Sequence, residues 1–209
     1  MSPISELAIL RALAGDRTLG IAWWLFPDEN HNTDGSHRQY LARQNEWKHY
    51  DPALFEALLK INNQNNRAVS ALENPSILPN AVFASDPVPC EAQPFTVRPA
   101  RRILWIEAVK ARLAKCDLIF VDPDNGIAPP GLRLTSRVAG KSVTVEELKV
   151  LQRSGRTIIA YHHQTRFKGG HIAQISHLVS RLSRTGVPVS GVLRPRPWSP
   201  RLFLILNGD

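Results

Sequence analysis

The segment Asp117-Leu118-Ile119-Phe120-Val121-Asp122-Pro123 restricts the fold of this 209-residue chain more than any other. Four consecutive apolar side chains bounded by aspartates leave neither side of a strand to water, so both faces must be covered. Strands of that kind belong to parallel sheets, and parallel sheets need long, usually helical, crossovers. Residues 117–122 are therefore expected to be a central strand of an α/β protein.

The rest of the chain supplies the crossovers. Residues 4–14 have apolar positions at helical spacing and stop at Gly15-Asp16. Residues 19–26 form an apolar run with Trp23 and Trp24, closed by Pro27, and are expected to be a buried strand. A helix over 36–43 follows, and Asp51-Pro52 opens another, with Asp51 as N-cap and Pro52 at the first helical position. Residues 67–72 make a short helical piece before a strand over 81–85. Pro87, Pro89, Pro94 and Pro99 make 86–99 an extended loop, and a helix over 100–115 leads into the central strand. Thr144 and Glu147 form a capping box for a helix over 145–153. A strand over 157–161, a helix over 172–184 and two strands over 187–193 and 202–206 complete the chain. This order predicts one α/β domain over 1–209 with a helical insertion near 36–75. Its doubly wound, mostly parallel sheet carries helices on both faces and ends in an antiparallel hairpin.

Composition bounds the setting. The apolar fraction of 43% and charged fraction of 21% are those of a globular protein. No apolar run is long enough for a membrane span, and the N-terminal residues lack a signal-peptide pattern. The expected location is the cytoplasm. Cys90 and Cys116 match no metal or disulfide spacing and are expected to be small apolar fillers. The 26 Lys and Arg outnumber 18 Asp and Glu, giving a net charge of +8 with most of the excess late in the chain. A polyanionic partner follows, because each neutralised phosphate releases counterions. Arg101, Arg102, Arg166, Lys168, Arg194 and Arg196 are the expected nucleic-acid contacts, and Trp47 and Trp198, beside basic residues, are candidates for base stacking.

Three polar loops fall at predicted strand ends, where doubly wound sheets bind ligands. The loop 27–35 offers Asp28, Glu29, Asn30, His31, Asn32 and Asp34. Asp122-Pro123-Asp124-Asn125-Gly126 is composed of turn formers, with Asn125-Gly126 able to supply positive φ, yet the strand before it delivers two carboxylates to the sheet's mouth. The loop 161–166 offers His162 and His163, of which at most one faces the cleft if side chains alternate. His171 and His177 are expected to face solvent. The candidate catalytic residues are Asp122, Asp124, Asn125, His162 and His163.

The element order, with Asp122-Pro123 after the central strand, resembles class I methyltransferases of the bacterial ribosomal-RNA adenine methyltransferase type, whose catalytic loop reads D-P-P-Y. Asp122 and Pro123 match the first two positions; Asp124 and Asn125 stand where that family has Pro and an aromatic residue. The resemblance implies that Asp122 accepts hydrogen bonds from the amine being methylated. It also implies S-adenosylmethionine as cofactor, held by Asp28, Asn32, Asp34 and Gly35 after the first strand. A second resemblance is to the D-x-D strand end of Toprim nucleases, in which Glu29, Asp122 and Asp124 would hold Mg²⁺ for phosphodiester cleavage. A third class is a nucleic-acid-binding module without chemistry.

Overall fold

The computed structural model describes residues 3–27, 39–64, 68–195 and 201–207, which fall into two compact units. One takes in residues 1–17 and 28–81, the other 18–27 and 82–209. No helix among the described residues is long and apolar enough to cross a membrane.

The first unit is helical. It contains α1 (Pro3–Ala14), α2 (Gln44–Trp47) and α3 (Pro52–Asn63), with 3-10 turns at Gln39–Ala42, Lys48–Tyr50 and Val69–Leu72. Asp51 caps α3 by accepting from the Leu54 N–H at 3.0 Å, and Pro52 sits where a helix has no use for an N–H. The same carboxylate pairs with Arg11 Nε at 2.7 Å, and Arg11 also donates to the Ile77 carbonyl, so one arginine of α1 fastens two later segments. The short helix α2 has no counterpart in the expected element order.

The second unit is built on a sheet of six strands: β1 (Leu19–Ala22), β2 (Ala81–Ala84), β3 (Leu118–Val121), β6 (Thr157–His163), β7 (Val189–Leu193) and β8 (Arg201–Leu206). The spatial order is β2-β1-β3-β6-β8-β7. β1, β3 and β6 run parallel, while β8 is antiparallel to both β6 and β7. All four residues of β3 are buried, as an apolar run between two parallel neighbours requires. Two further strands, β4 (Gly126–Ile127) and β5 (Ser142–Val143), form a small parallel sheet that periodicity gave no reason to expect. The chain leaves β1 towards one edge of the main sheet and leaves β3 towards the other. The carboxyl ends of these two strands therefore make its topological switch point.

Three helices, α4 (Arg98–Arg112), α5 (Val145–Leu151) and α6 (Gly170–Arg184), contribute Trp105, Ile106, Val109, Leu148, Leu151 and Leu182 to the core that also holds Ile119, Val121, Ile158 and Ala160 of the sheet. Residues alternate along a strand, so Phe120, Ile159 and Tyr161 belong to the opposite face, and they too are buried. Arg156 is 2% exposed and donates to the carbonyls of Leu113, Ala114, Cys116 and Leu151, which ties the C-terminal ends of α4 and α5 together. Cys90 and Cys116 are buried thiols whose pKa burial raises, in keeping with a packing role.

Two boundaries differ from expectation. β1 stops at Ala22 because Trp24 takes φ 54, outside strand geometry. β6 runs to His163, because antiparallel pairing with Leu202 and Arg201 gives His162 and His163 backbone partners that a loop would lack.

Candidate active site

Asp122 extends β3 by one residue, its N–H bonded to the Ala22 carbonyl at 3.1 Å, which sets it at the switch point beside the end of β1. Its side chain is half-buried. The chain then turns, with the Gly126 N–H donating to the Pro123 carbonyl at 3.0 Å, and the turn is fastened to a second segment. The Asn125 N–H donates to Lys141 and the Ala128 N–H to Val143, on either side of the β4 and β5 pairing. Asp122-Pro123-Asp124-Asn125-Gly126 is thus a turn, as its residue types predict. Asp124 and Asn125 are exposed at its tip, with Asp124 Oδ2 4.0 Å from Lys141 Nζ.

Gly126 is the point of closest approach. It has φ +80, and a Cβ there would lie 2.5 Å from both Cα and Nδ1 of His162. Only glycine admits this backbone and this contact. The next N–H, that of Ile127, donates to His162 Nδ1 at 3.0 Å. His162 is 5% exposed, and its pKa falls to about 4. Burial is the main cause, followed by the positive charge of Arg181 and then by His163 and His171. The ring is neutral at pH 7. The carboxamide of Gln174, itself buried, places its nitrogen 2.9 Å from His162 Nε2 and accepts at its oxygen from the Thr165 N–H.

His163 is exposed and lies 3.0 Å from the Tyr161 hydroxyl through Nδ1. Its pKa is lowered by partial desolvation and then by Arg201. Both histidines line a cavity of about 540 Å³, and their rings keep to strand alternation: the His163 ring bonds to Tyr161 on one face, and the His162 ring meets Gln174 on the other. Asn125, Gln174 and Arg181 share the cavity with them, among apolar walls that include Ile127, Pro129 and Leu178. Asp122 and Asp124 are not among its lining residues. Alternation puts the Asp122 side chain on the Phe120 side of the sheet and His162 on the Val121 side. Of the five expected catalytic residues, Asn125, His162 and His163 therefore converge, and Asp122 is joined to them through its loop.

His171 corrects an expectation: it is buried, at 9% exposure, on the α6 stripe of His171, Gln174, Leu178 and Leu182, whose 3- and 4-residue spacing turns these side chains towards the sheet. His177 is exposed and packs on the Phe167 ring at 5.3 Å.

The expected nucleic-acid contacts divide. Arg101, Arg166 and Lys168 are exposed and Arg194 is half-buried. Arg102 is not on the surface: it is 4% exposed, forms a bidentate pair with Glu147, and donates to the carbonyls of Ala139, at 2.6 Å, and Ser142. Its place in α4 explains this, since it precedes Trp105, Ile106 and Val109 on the buried face. Trp47 is half-buried and lies edge-on to Tyr40, with Tyr50 also near. Asp28, Glu29, Asn32, Asp34, Gly35, Arg196 and Trp198 lie outside the described residues. Among the described residues, no group of three His, Cys, Asp or Glu side chains is arranged to hold a metal ion.

Gln174 and Arg181 help build the site and were not singled out by sequence reasoning as site residues, while Glu147 was read only as the capping-box partner of Thr144. The helical stripe on α6 contains the first two, but a polar residue on such a stripe reads as an interruption until the histidine it faces is known. No family model, curated protein or solved structure matches the chain.

Proposed function

We propose that the α/β unit is the catalytic part of a methyltransferase-like enzyme acting on nucleic acid in the cytoplasm, with Asp122 at the reacting end of the central strand. One observation carries this reading. The loop beginning at Asp122 has the switch point of the sheet on one side, through its bond to Ala22, and a 540 Å³ cavity on the other, through Asn125. Switch points bind nucleotide-like ligands, and group transfer needs a donor and an acceptor that meet at one polar segment.

Trp24 adds support. A buried tryptophan at φ 54 costs on the order of 1–3 kcal/mol, and such strain gathers where a ligand is clamped. The carboxylates and amides of Asp28, Asn32 and Asp34 suit ribose hydroxyls, and the described end of β1 adjoins Asp122. S-adenosylmethionine, when bound, supplies an electrophilic methyl group. The chain's own part is to accept a hydrogen bond from the substrate amine at the Asp122 carboxylate and so orient the nitrogen lone pair. The contacts of Gly126 with His162, and of β4 with β5, hold that carboxylate in place. Exposed Arg101, Arg166 and Lys168 are available to phosphates.

Calorimetric titration with S-adenosylmethionine tests the cofactor. Saturable binding that is indifferent to Mg²⁺ is expected. Absence of binding, or heat only when Mg²⁺ is added alone, would overturn the reading in favour of a metal site with Glu29, Asp122 and Asp124.

A further inference from the structure

We propose that the cavity beside His162 is an anion site built on Arg181, taking a small ligand that joins a carboxylate or phosphate group to an apolar, planar body. The inference does not depend on the methyltransferase reading, because it rests on the cavity alone. Arg181 is the one Lys or Arg among the described lining residues, and none of them is Asp or Glu. The guanidinium is half-buried, donates through Nη2 to the Ala128 carbonyl at 2.8 Å, and keeps Nε buried with no acceptor among the described residues. A half-buried cation with one neutral acceptor among the described residues is under-compensated, and an oxyanion is the partner that restores the balance.

The neighbouring groups agree. The His162 pKa is lowered in part by Arg181, so the arginine's charge reaches the site without a nearby carboxylate to cancel it. Asn125 offers an amide donor to a remaining oxygen of an anion. The walls exclude a bare ion as the natural occupant: Ile127, Leu132, Val138, Phe167 and Leu178 are apolar, and about 540 Å³ is the size of a small-molecule site.

The test is isothermal calorimetry on the full chain with four probes: phenyl phosphate, benzoate, benzyl alcohol and inorganic phosphate. Phenyl phosphate, benzoate or both should bind at least about tenfold more tightly than benzyl alcohol and than inorganic phosphate, a difference of about 1.4 kcal/mol. Binding of one organic anion and not the other identifies the anionic group the site takes. Arg181→Gln should weaken the preferred anion about tenfold or more, and Arg181→Lys should retain part of the affinity. In the wild-type protein the His162 ring resonances should move on addition of that anion and stay in place with benzyl alcohol, a readout that does not require either variant to fold. Equal binding of benzyl alcohol, no binding of either organic anion, unchanged affinity in a folded Arg181→Gln, or unmoved His162 resonances would each overturn the proposal.

Discussion

At Gly126 the distance to a neighbour, not the turn itself, makes glycine irreplaceable. Gly131 also has positive φ, +76, but a Cβ there meets nothing within 4 Å. Gly131→Ala should therefore cost only the backbone strain, about 1–2 kcal/mol. Gly126→Ala should cost about 2–5 kcal/mol, because the overlap with His162 is added to that strain. Urea denaturation of the two variants separates these terms. His162 makes a second prediction, in pH. Its folded pKa of about 4 lies below the ordinary 6.5, so on acidification the unfolded chain takes up a proton first. The stability held above pH 6.5 is then lost as pH falls from about 6.5 to about 4, by up to about 3 kcal/mol for this group. His162→Asn keeps an acceptor for the Ile127 N–H and should flatten that part of the pH profile relative to wild type. The residue types at Asn125-Gly126 announced a turn from the sequence, but a turn formula has no information about a histidine 36 residues on, so the packing reason for Gly126 was not legible.

Helix α4 shows how one element carries two kinds of arginine. Arg101 points to solvent, while Arg102 pairs with Glu147, the residue that also closes the capping box by accepting from Thr144. Breaking a buried pair strands a charge, so Arg102→Met should cost about 3–5 kcal/mol, whereas Arg101→Ala should change stability by less than about 0.5 kcal/mol. Thermal or urea unfolding of the two variants checks the contrast. The pair also bears on the site, because Arg102 donates to the Ser142 carbonyl of β5 and Trp24 Nε1 reaches the same oxygen at 3.2 Å. β5 in turn holds β4 and the Asp122 loop. The capping box, the Asp51 N-cap and the six main strands were readable because each is a local pattern of residue types. The β4 and β5 pairing was not, since two-residue strands have no period to detect. The end of β6 was misjudged because histidines carry little strand preference and the pairing with β8 is non-local.

For the molecule as a whole, the proposed polyanionic partner rests on a net charge of +8, and exposed Arg101 is one group available to meet it. Arg101→Ala should weaken nucleic-acid binding modestly and reduce the slope of log affinity against log salt by about 1, if its guanidinium meets a phosphate. Fluorescence anisotropy with a labelled oligonucleotide at several salt concentrations reads both quantities. The doubly wound, mostly parallel sheet was foreseeable from alternating helices and strands, and in the observed order the carboxyl ends of β1, β3 and β6 lie side by side; the separation of the Asp122 side chain from the His162 cavity was not, because it depends on which face each side chain takes. We propose that Asp122 orients a nucleic-acid amine for methylation. Transfer of labelled methyl from S-adenosylmethionine to RNA and DNA should be seen with the wild-type chain, and should fall by about a hundredfold or more in a folded Asp122→Asn while Glu29→Gln stays active. No transfer by the wild-type chain, or equal transfer by Asp122→Asn, would rule out this role for Asp122.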